Sequence, residues 1–101
     1  MNLQELFMLL ESSDNIKGKY IVETSKYSQY AFIHEITSEN VEDKVYIKYV
    51  QFNKNGEIVF PTLSGEGKLN VKSKFRISND YYFCNSYNHS IKTLKNLYLL
   101  E

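Results

Sequence analysis

Most of this chain alternates apolar and polar residues, and a stretch at each end follows a helical period instead. Alternation at every second position is typical of β-strands, whose side chains point in turn to opposite faces of a sheet. Near the start, one helical face is indicated by the i, i+3, i+4, i+7 spacing of Leu3, Leu6, Phe7 and Leu10. We therefore predict a helix over Asn2–Glu11, followed by a series of strands.

Six runs carry the strand pattern, and together they predict five or six strands. Their bounds are Lys19–Thr24, Gln29–Thr37, Lys44–Phe52, Glu57–Phe60, Lys68–Ser78 and Tyr81–Tyr87. The third run is rich in Val, Ile and Tyr and is apolar on both faces, so we place it centrally in the sheet. Asn55-Gly56 joins it to the fourth run and predicts a hairpin, because glycine adopts positive φ at little cost. Pro61 lacks an amide hydrogen, so it ends the fourth strand or lies on an edge of the sheet.

The pattern of residues 90–100 predicts a closing helix. Ser90 is suited to cap it, and its apolar face would carry Ile91, Leu94, Leu97 and Tyr98. A C-terminal strand over residues 96–100 is the alternative for this segment.

The order of these elements predicts an α+β fold. We expect a five- to six-stranded, mainly antiparallel sheet of meander type, with an N-terminal helix and a short C-terminal helix packed near it. The length predicts a single domain over residues 1–101. A small, strongly bent half-barrel is the alternative architecture.

Composition favours binding over catalysis. The chain has nine Tyr and six Phe, and its twelve basic residues balance twelve acidic ones. Tyr combines a large apolar ring with a polar tip, so it suits both a half-buried sheet and a binding surface. The zero net charge argues against a partner that is held by electrostatics alone. We expect a protein partner before a nucleic acid.

The residues capable of catalysis or metal binding are few and scattered. His34, His89 and Cys84 lie far apart in the sequence, whereas zinc signatures come as close pairs. Cys84 is expected in the core, because unpaired cysteine is among the most buried residue types. The Gly65–Lys68 stretch lacks the first glycine and the Ser or Thr of a phosphate-binding loop. We expect no catalytic set, metal or cofactor. The alternative is an enzyme, or a protein that sequesters a small ligand, with His34, His89 or Cys84 at its site. Convergence of His34 and Cys84 on an open pocket would favour it.

A basic row in the fifth run is the leading candidate for a binding surface. Lys72, Lys74 and Arg76 alternate with apolar residues, so they would share the solvent-facing side of a half-buried strand. Lys stems that cover neighbouring rings on an ordinary solvated face are the alternative interpretation of this row.

The following hairpin adds aromatic residues to this row. A two-residue loop at residues 79–80 would place Phe83 opposite Arg76 and Tyr87 opposite Lys72. Cations interleaved with rings suit a protein interface, and they also suit stacked bases with neutralised phosphates. With a three-residue loop, Phe83 would turn toward the core instead.

A second candidate is the acidic connection between the second and third strands. Glu39, Glu42 and Asp43 cluster there without the calcium-loop pattern. We expect a solvated acidic turn that can meet a basic surface of a partner.

The coding bias indicates the type of genome that encodes the chain, and the lack of an export signal favours a location inside the cell. Lys, Asn, Tyr and Ile are abundant, while Ala, Arg and Pro are scarce, which is typical of AT-rich genomes such as those of low-GC bacteria and their phages. Residues 1–6 carry no basic region of a signal peptide, and no apolar run is long enough to span a membrane, so we expect a cytoplasmic protein.

In its small size, aromatic content, absence of a catalytic set and coding bias, the chain resembles phage and mobile-element inhibitors, including anti-CRISPR and other counter-defence proteins. That resemblance implies a non-catalytic protein that binds a larger partner in the host cytoplasm and occludes a functional surface. A nucleic-acid-binding module that uses the basic face is the alternative function. Exposed Tyr-rich edge strands would also allow pairing with a second copy of the chain.

Overall fold

A computed structural model describes residues 1–12, 15–25, 30–40, 45–53, 55–60, 69–70 and 78–97 of the chain. These residues form two helices and an antiparallel sheet. The elements are α1 (Leu3–Ser12), β1 (Tyr20–Thr24), β2 (Tyr30–Ile36), β3 (Tyr46–Asn53), β4 (Ile58–Phe60), β5 (Leu69–Asn70), β6 (Asp80–Cys84) and α2 (Tyr87–Leu97). The predicted α+β class, with an antiparallel sheet and two helices, is confirmed.

The strands are ordered β4-β3-β2-β1-β6, and β5 pairs with β3 beside this path. The first four strands form a meander, but β6 crosses back to pair with β1. The predicted count of five to six strands is not confirmed, because only four of the described strands exceed three residues. The predicted pairing between Lys68–Ser78 and the last strand involves residues 71–77, which lie outside the described residues.

One face of the sheet, here called the α1 face, is covered by the first helix. Its core includes Ile21 of β1, Ile47 of β3 and Tyr81 of β6, and Leu6 and Leu10 of α1 pack into the same cluster. All five side chains are at most 2% exposed. Burial of aliphatic and aromatic surface of this kind is the main stabilising term of a small domain.

The opposite face, here called the α2 face, is covered in part by the second helix. Val22, Ile33 and Val50 project from β1, β2 and β3 on this side, and Leu94 and Ile91 of α2 pack against their cluster. β3 carries buried apolar residues on both faces, Ile47 on the α1 face and Phe52 on the α2 face, which agrees with the third predicted run being apolar on both faces.

Reciprocal hydrogen bonds start α1. The Glu5 amide donates to Asn2 Oδ1 at 2.8 Å, and the Asn2 amide donates to Glu5 Oε1 at 2.9 Å. This arrangement satisfies two amides that have no partner inside the helix. The predicted first helix is confirmed, with its bounds shifted by one residue.

The second helix begins earlier than predicted. Ser86, not Ser90, is the cap, because the His89 amide donates to Ser86 Oγ at 3.1 Å. The buried Ser90 hydroxyl instead donates to the Tyr87 carbonyl at 2.7 Å. The predicted strand Tyr81–Tyr87 is consequently too long: β6 ends at Cys84, and Tyr87 is the first helical residue.

The predicted hairpin at Asn55-Gly56 is confirmed by the pairing of β3 with β4. Gly56 has φ 82°, a conformation that side chains with a Cβ rarely adopt. The Asn53 side chain accepts hydrogen bonds from the amides of Asn55 at 2.9 Å and Glu57 at 3.1 Å. A single asparagine therefore holds both sides of the turn.

The packing of α2 can be tested with two leucines of the same helix. We expect Leu94→Ala to lower the free energy of unfolding by about 2–5 kcal/mol, since Leu94 is 1% exposed and its loss leaves a cavity. Leu97→Ala should change it by no more than about 0.5 kcal/mol, since Leu97 is 44% exposed. Urea unfolding followed by circular dichroism measures both, and equal effects would contradict the placement of α2.

Candidate functional site

The predicted basic row lies outside the part of the chain that the structure describes. Lys72, Lys74 and Arg76 fall within residues 71–77, and Glu42 and Asp43 fall within residues 41–44. Their assignment as binding residues stays a prediction.

The two aromatic residues predicted to join that row do not lie together. Phe83 stands opposite Ile21 in the register, on the α1 face, and packs half-buried against the core there. Tyr87 starts α2 and places its ring against Tyr20, whose side chain lies on the opposite side of the sheet. The strand assigned to Tyr87 is thus wrong, and the sheet separates it from Phe83.

Glu39 has a structural contact that the sequence did not indicate. Its carboxylate accepts hydrogen bonds from the backbone amides of Ile16 at 3.0 Å and Lys17 at 3.4 Å. The adjacent Asn40 donates from its side chain to the Leu10 carbonyl of α1 at 3.3 Å. The start of the acidic connection thus fastens the segment after α1 to the sheet.

An open groove of about 290 Å³ lies on the α2 face, beside the start of α2. We call it the tyrosine groove. Its lining includes Tyr20, Glu35, Lys48, Val50, Ile58 and Tyr87. Its floor is the part of the sheet that α2 does not cover, and its walls come from β4 and the first turn of α2. Ile58 is 57% exposed and Tyr87 is 43% exposed, so apolar and aromatic surface meets solvent here.

The two tyrosines of the groove support one another. Their ring centroids are 5.8 Å apart with an interplanar angle of 67°, which is an edge-to-face contact. Burial raises the pKa of Tyr20, and the nearby Glu35 carboxylate raises it further, whereas the Lys48 ammonium lowers it. The Tyr20 hydroxyl is therefore a neutral group at physiological pH, able to donate or accept a hydrogen bond.

One ion pair borders this apolar surface. Lys48 Nζ lies 3.4 Å from Glu35 Oε1, and the two residues stand opposite each other on β3 and β2. Both side chains keep more than a third of their exposure, so the pair contributes little to stability. A partner that approaches the groove finds one cationic and one anionic group beside an apolar floor.

A second constellation, here called the polar cluster, lies inside the protein on the α1 face. It consists of Glu23, His34, Asn79 and Tyr81. Glu23 Oε1 lies 2.7 Å from His34 Nε2, and Oε2 accepts hydrogen bonds from the Tyr81 hydroxyl at 3.3 Å and from the Asn79 side-chain amide. The carboxylate thereby connects β1 with β2, β6 and the turn before β6.

Rings surround the histidine of the cluster. Phe32 stacks on His34 with centroids 5.7 Å apart, and Tyr49 lies tilted at the same distance. His34 is 0% and Glu23 is 1% exposed. An acid–base pair buried to this degree holds strands together and is not in contact with solvent.

The sequence singled out His34 but missed Glu23. The alternation of the strand could have indicated Glu23, because it lies two residues after the buried Ile21 and so points to the same face of the sheet. A carboxylate at an inward position needs a partner, and the inward His34 lies on the neighbouring strand.

Cys84 and His89 do not join His34. Cys84 is 1% exposed on the α2 face, as the sequence predicts for a core thiol. His89 serves the start of α2, where its Nδ1 accepts a long hydrogen bond of 3.4 Å from the Asn85 amide. Among the described residues, no three His, Cys, Asp or Glu side chains come together as a metal site.

Comparisons with protein-family models, with curated proteins and with solved structures found no match to this chain. Neither of the two described helices has the length and apolar character required to span a bilayer.

The polar cluster predicts a large cost for losing its carboxylate. We expect Glu23→Ala to lower the free energy of unfolding by about 3–5 kcal/mol, because it leaves buried polar groups without their shared acceptor. The matched variant Glu35→Ala breaks the exposed ion pair and should cost no more than about 1 kcal/mol. Urea unfolding of both variants provides the measurement. If both variants lower the free energy of unfolding by a similarly small amount, the polar cluster does not hold the strands together.

The raised pKa of Cys84 predicts that its thiol reacts slowly in the folded protein. Burial raises this pKa above its ordinary value, and a hydrogen bond with Thr93, whose Oγ1 lies 3.6 Å from Sγ, opposes the shift. We expect folded protein to react far more slowly with a thiol-specific disulfide reagent than protein in urea, because the thiolate is the reactive form.

The raised pKa of Cys84 also determines how the contribution of its thiol to stability depends on pH. The neutral thiol is favoured in the folded state, so its contribution to stability is complete below the unfolded pKa. That contribution is lost as pH rises through the folded pKa.

Equal rates of reaction with the disulfide reagent for folded protein and for protein in urea would contradict the burial of Cys84.

Proposed function

We propose that this protein is a non-catalytic binding protein that forms a stoichiometric complex with a larger protein through the tyrosine groove. The observation that carries the proposal is the exposure of Ile58 and Tyr87 on both sides of a cleft with an apolar floor. Side chains of this kind dominate the energetics of protein interfaces, where Tyr is enriched at the residues that contribute most.

The size of the groove favours a side chain of a partner over a free ligand. Its volume of about 290 Å³ is just below the roughly 300–1,000 Å³ that is usual for small-molecule sites. One large apolar side chain of a partner fits such a cleft. The Lys48–Glu35 ion pair at the edge of the groove would then contact polar groups of the partner around that side chain, as in the polar rim of a protein interface.

The buried acid–base pair also supports binding over catalysis. Glu23 and His34 are at most 1% exposed, so a substrate would have no access to them in this arrangement. Proton transfer to a substrate requires hydrogen-bond contact with the reacting group. The tyrosine groove, by contrast, presents the phenols of Tyr20 and Tyr87 and an ion pair, and none of these is an activated nucleophile.

The biological setting that we propose is the cytoplasm of a low-GC bacterium, with the protein acting as a phage or mobile-element inhibitor of a bacterial complex. Counter-defence, including the anti-CRISPR type, fits a small protein that acts by occlusion rather than turnover. The support is the aromatic composition, the balanced charge and the coding bias.

Two groove variants and one control test the proposal. Protein from lysate of a low-GC bacterium is captured on the immobilised chain and identified, and its affinity is measured by calorimetry. We expect Tyr87→Ala and Ile58→Ala each to weaken the complex by about 2 kcal/mol, or roughly 30-fold in Kd. Met8→Ala should have no effect, since Met8 is 62% exposed but lies on α1, across the sheet from the groove.

A complex that survives both groove variants would refute the groove as the binding site. If it is lost instead when Lys72, Lys74 and Arg76 are replaced by Ala, the sequence-predicted basic face is the site. Salt separates the classes of partner, because binding to phosphates weakens steeply as salt rises and an aromatic protein interface weakens less.

A further inference from the structure

We propose that Asn55 is a site of spontaneous deamidation, and that the side chain of Asn53 controls how fast it occurs. The product would be a mixture of aspartate and isoaspartate in the β3–β4 turn. This inference is independent of the proposed binding function.

Asn55-Gly56 is the one Asn-Gly pair in the sequence. Deamidation starts when the backbone nitrogen of the following residue attacks the Asn side-chain carbonyl carbon. Glycine has no Cβ to hinder that attack and permits the backbone changes that it needs. Asn55 is also exposed at the tip of the hairpin, so water and base reach it.

The reaction balances without any oxidant or cofactor. The Gly56 nitrogen forms a bond to Asn55 Cγ, and the side-chain nitrogen leaves as ammonia with the proton that Gly56 loses. Water then opens the resulting five-membered imide at either carbonyl. One opening gives aspartate, and the other gives isoaspartate, whose extra backbone carbon lengthens the turn.

The turn itself opposes the first step. The Gly56 amide donates to the Asn53 carbonyl at 3.0 Å, which ties up the attacking nitrogen. The Asn53 side chain holds the amides of Asn55 and Glu57 through Oδ1, and its Nδ2 donates to Glu57 Oε1 at 2.9 Å. The nitrogen can attack only when this set of hydrogen bonds opens, so the rate reports the opening of the turn.

The modification would change the neighbouring strand. Isoaspartate adds one atom to the path between Asn53 and Glu57, which are joined by a backbone hydrogen bond of 3.0 Å. The register of β4 follows from this turn, so the extra atom shifts the strand that carries Ile58. Either product also adds a negative charge next to Glu57.

The experiment compares deamidation rates of full-length variants at neutral pH. Peptide mapping by mass spectrometry locates the conversion of amide to acid, and labelling with a protein isoaspartate methyltransferase detects the isoaspartyl product. We expect conversion at Asn55 ahead of the other asparagines. Asn53→Ala should accelerate it on the order of tenfold, if the lost hydrogen bonds contribute as usual.

Three further samples make the result decisive. Asn55→Gln should abolish conversion at this position, and Glu57→Ala, which removes only the contact from Asn53 Nδ2, should accelerate it less than Asn53→Ala. Protein in urea gives the rate without the turn, and folded wild-type protein should be slower. The proposal is overturned if urea and folded samples convert equally, if Asn53→Ala matches the wild type, or if isoaspartate forms elsewhere first.

Discussion

The carboxylate of Glu23 links three strands of the described sheet inside the protein. Its Oε1 lies 2.7 Å from His34 Nε2 on β2, and its Oε2 accepts hydrogen bonds from Tyr81 on β6 and from Asn79 in the preceding turn, while Glu23 itself lies on β1 between those strands. A buried carboxylate is costly unless its oxygens are hydrogen-bonded, so these three contacts must form together. The crossover that brings β6 beside β1 is thereby tied to the polar cluster as well as to apolar packing.

The tyrosine groove follows from how the two helices divide the sheet. α2 packs mainly on β1 and β6 through Leu94, which leaves part of the α2 face over β2 and β3 uncovered. Because Ser86 starts the helix only two residues after β6 ends, Tyr87 remains close to Tyr20. The early start of α2 therefore forms one wall of the groove, and a helix that began at Ser90 would not supply it.

The sequence predicted those features that depend on local periodicity and turn chemistry. Helix α1, the hairpin at Gly56 and the burial of Cys84 all follow from spacing or from the preferences of single residues. The pairing of β6 with β1 could not be predicted in the same way, because it joins residues distant along the chain. The contact of Glu23 with His34 was missed although both lie at inward positions of neighbouring strands. The groove depends on the position of α2 and on the register of the sheet. Its residues therefore share no local pattern that could be recognised in the sequence.

Folding alone does not explain the apolar side chains that are exposed at the groove. Ile58 leaves 57% of its surface in water although the adjacent floor is apolar, and Tyr87 remains 43% exposed beside Tyr20. A polar residue at either position would keep the strand or the helix, and stability alone does not call for a large apolar one. Exposed apolar side chains that surround a cleft contribute free energy when a partner removes them from water. The apolar surface that folding leaves exposed here is therefore available to stabilise a complex, which is the physical reason why we propose an interface on this face.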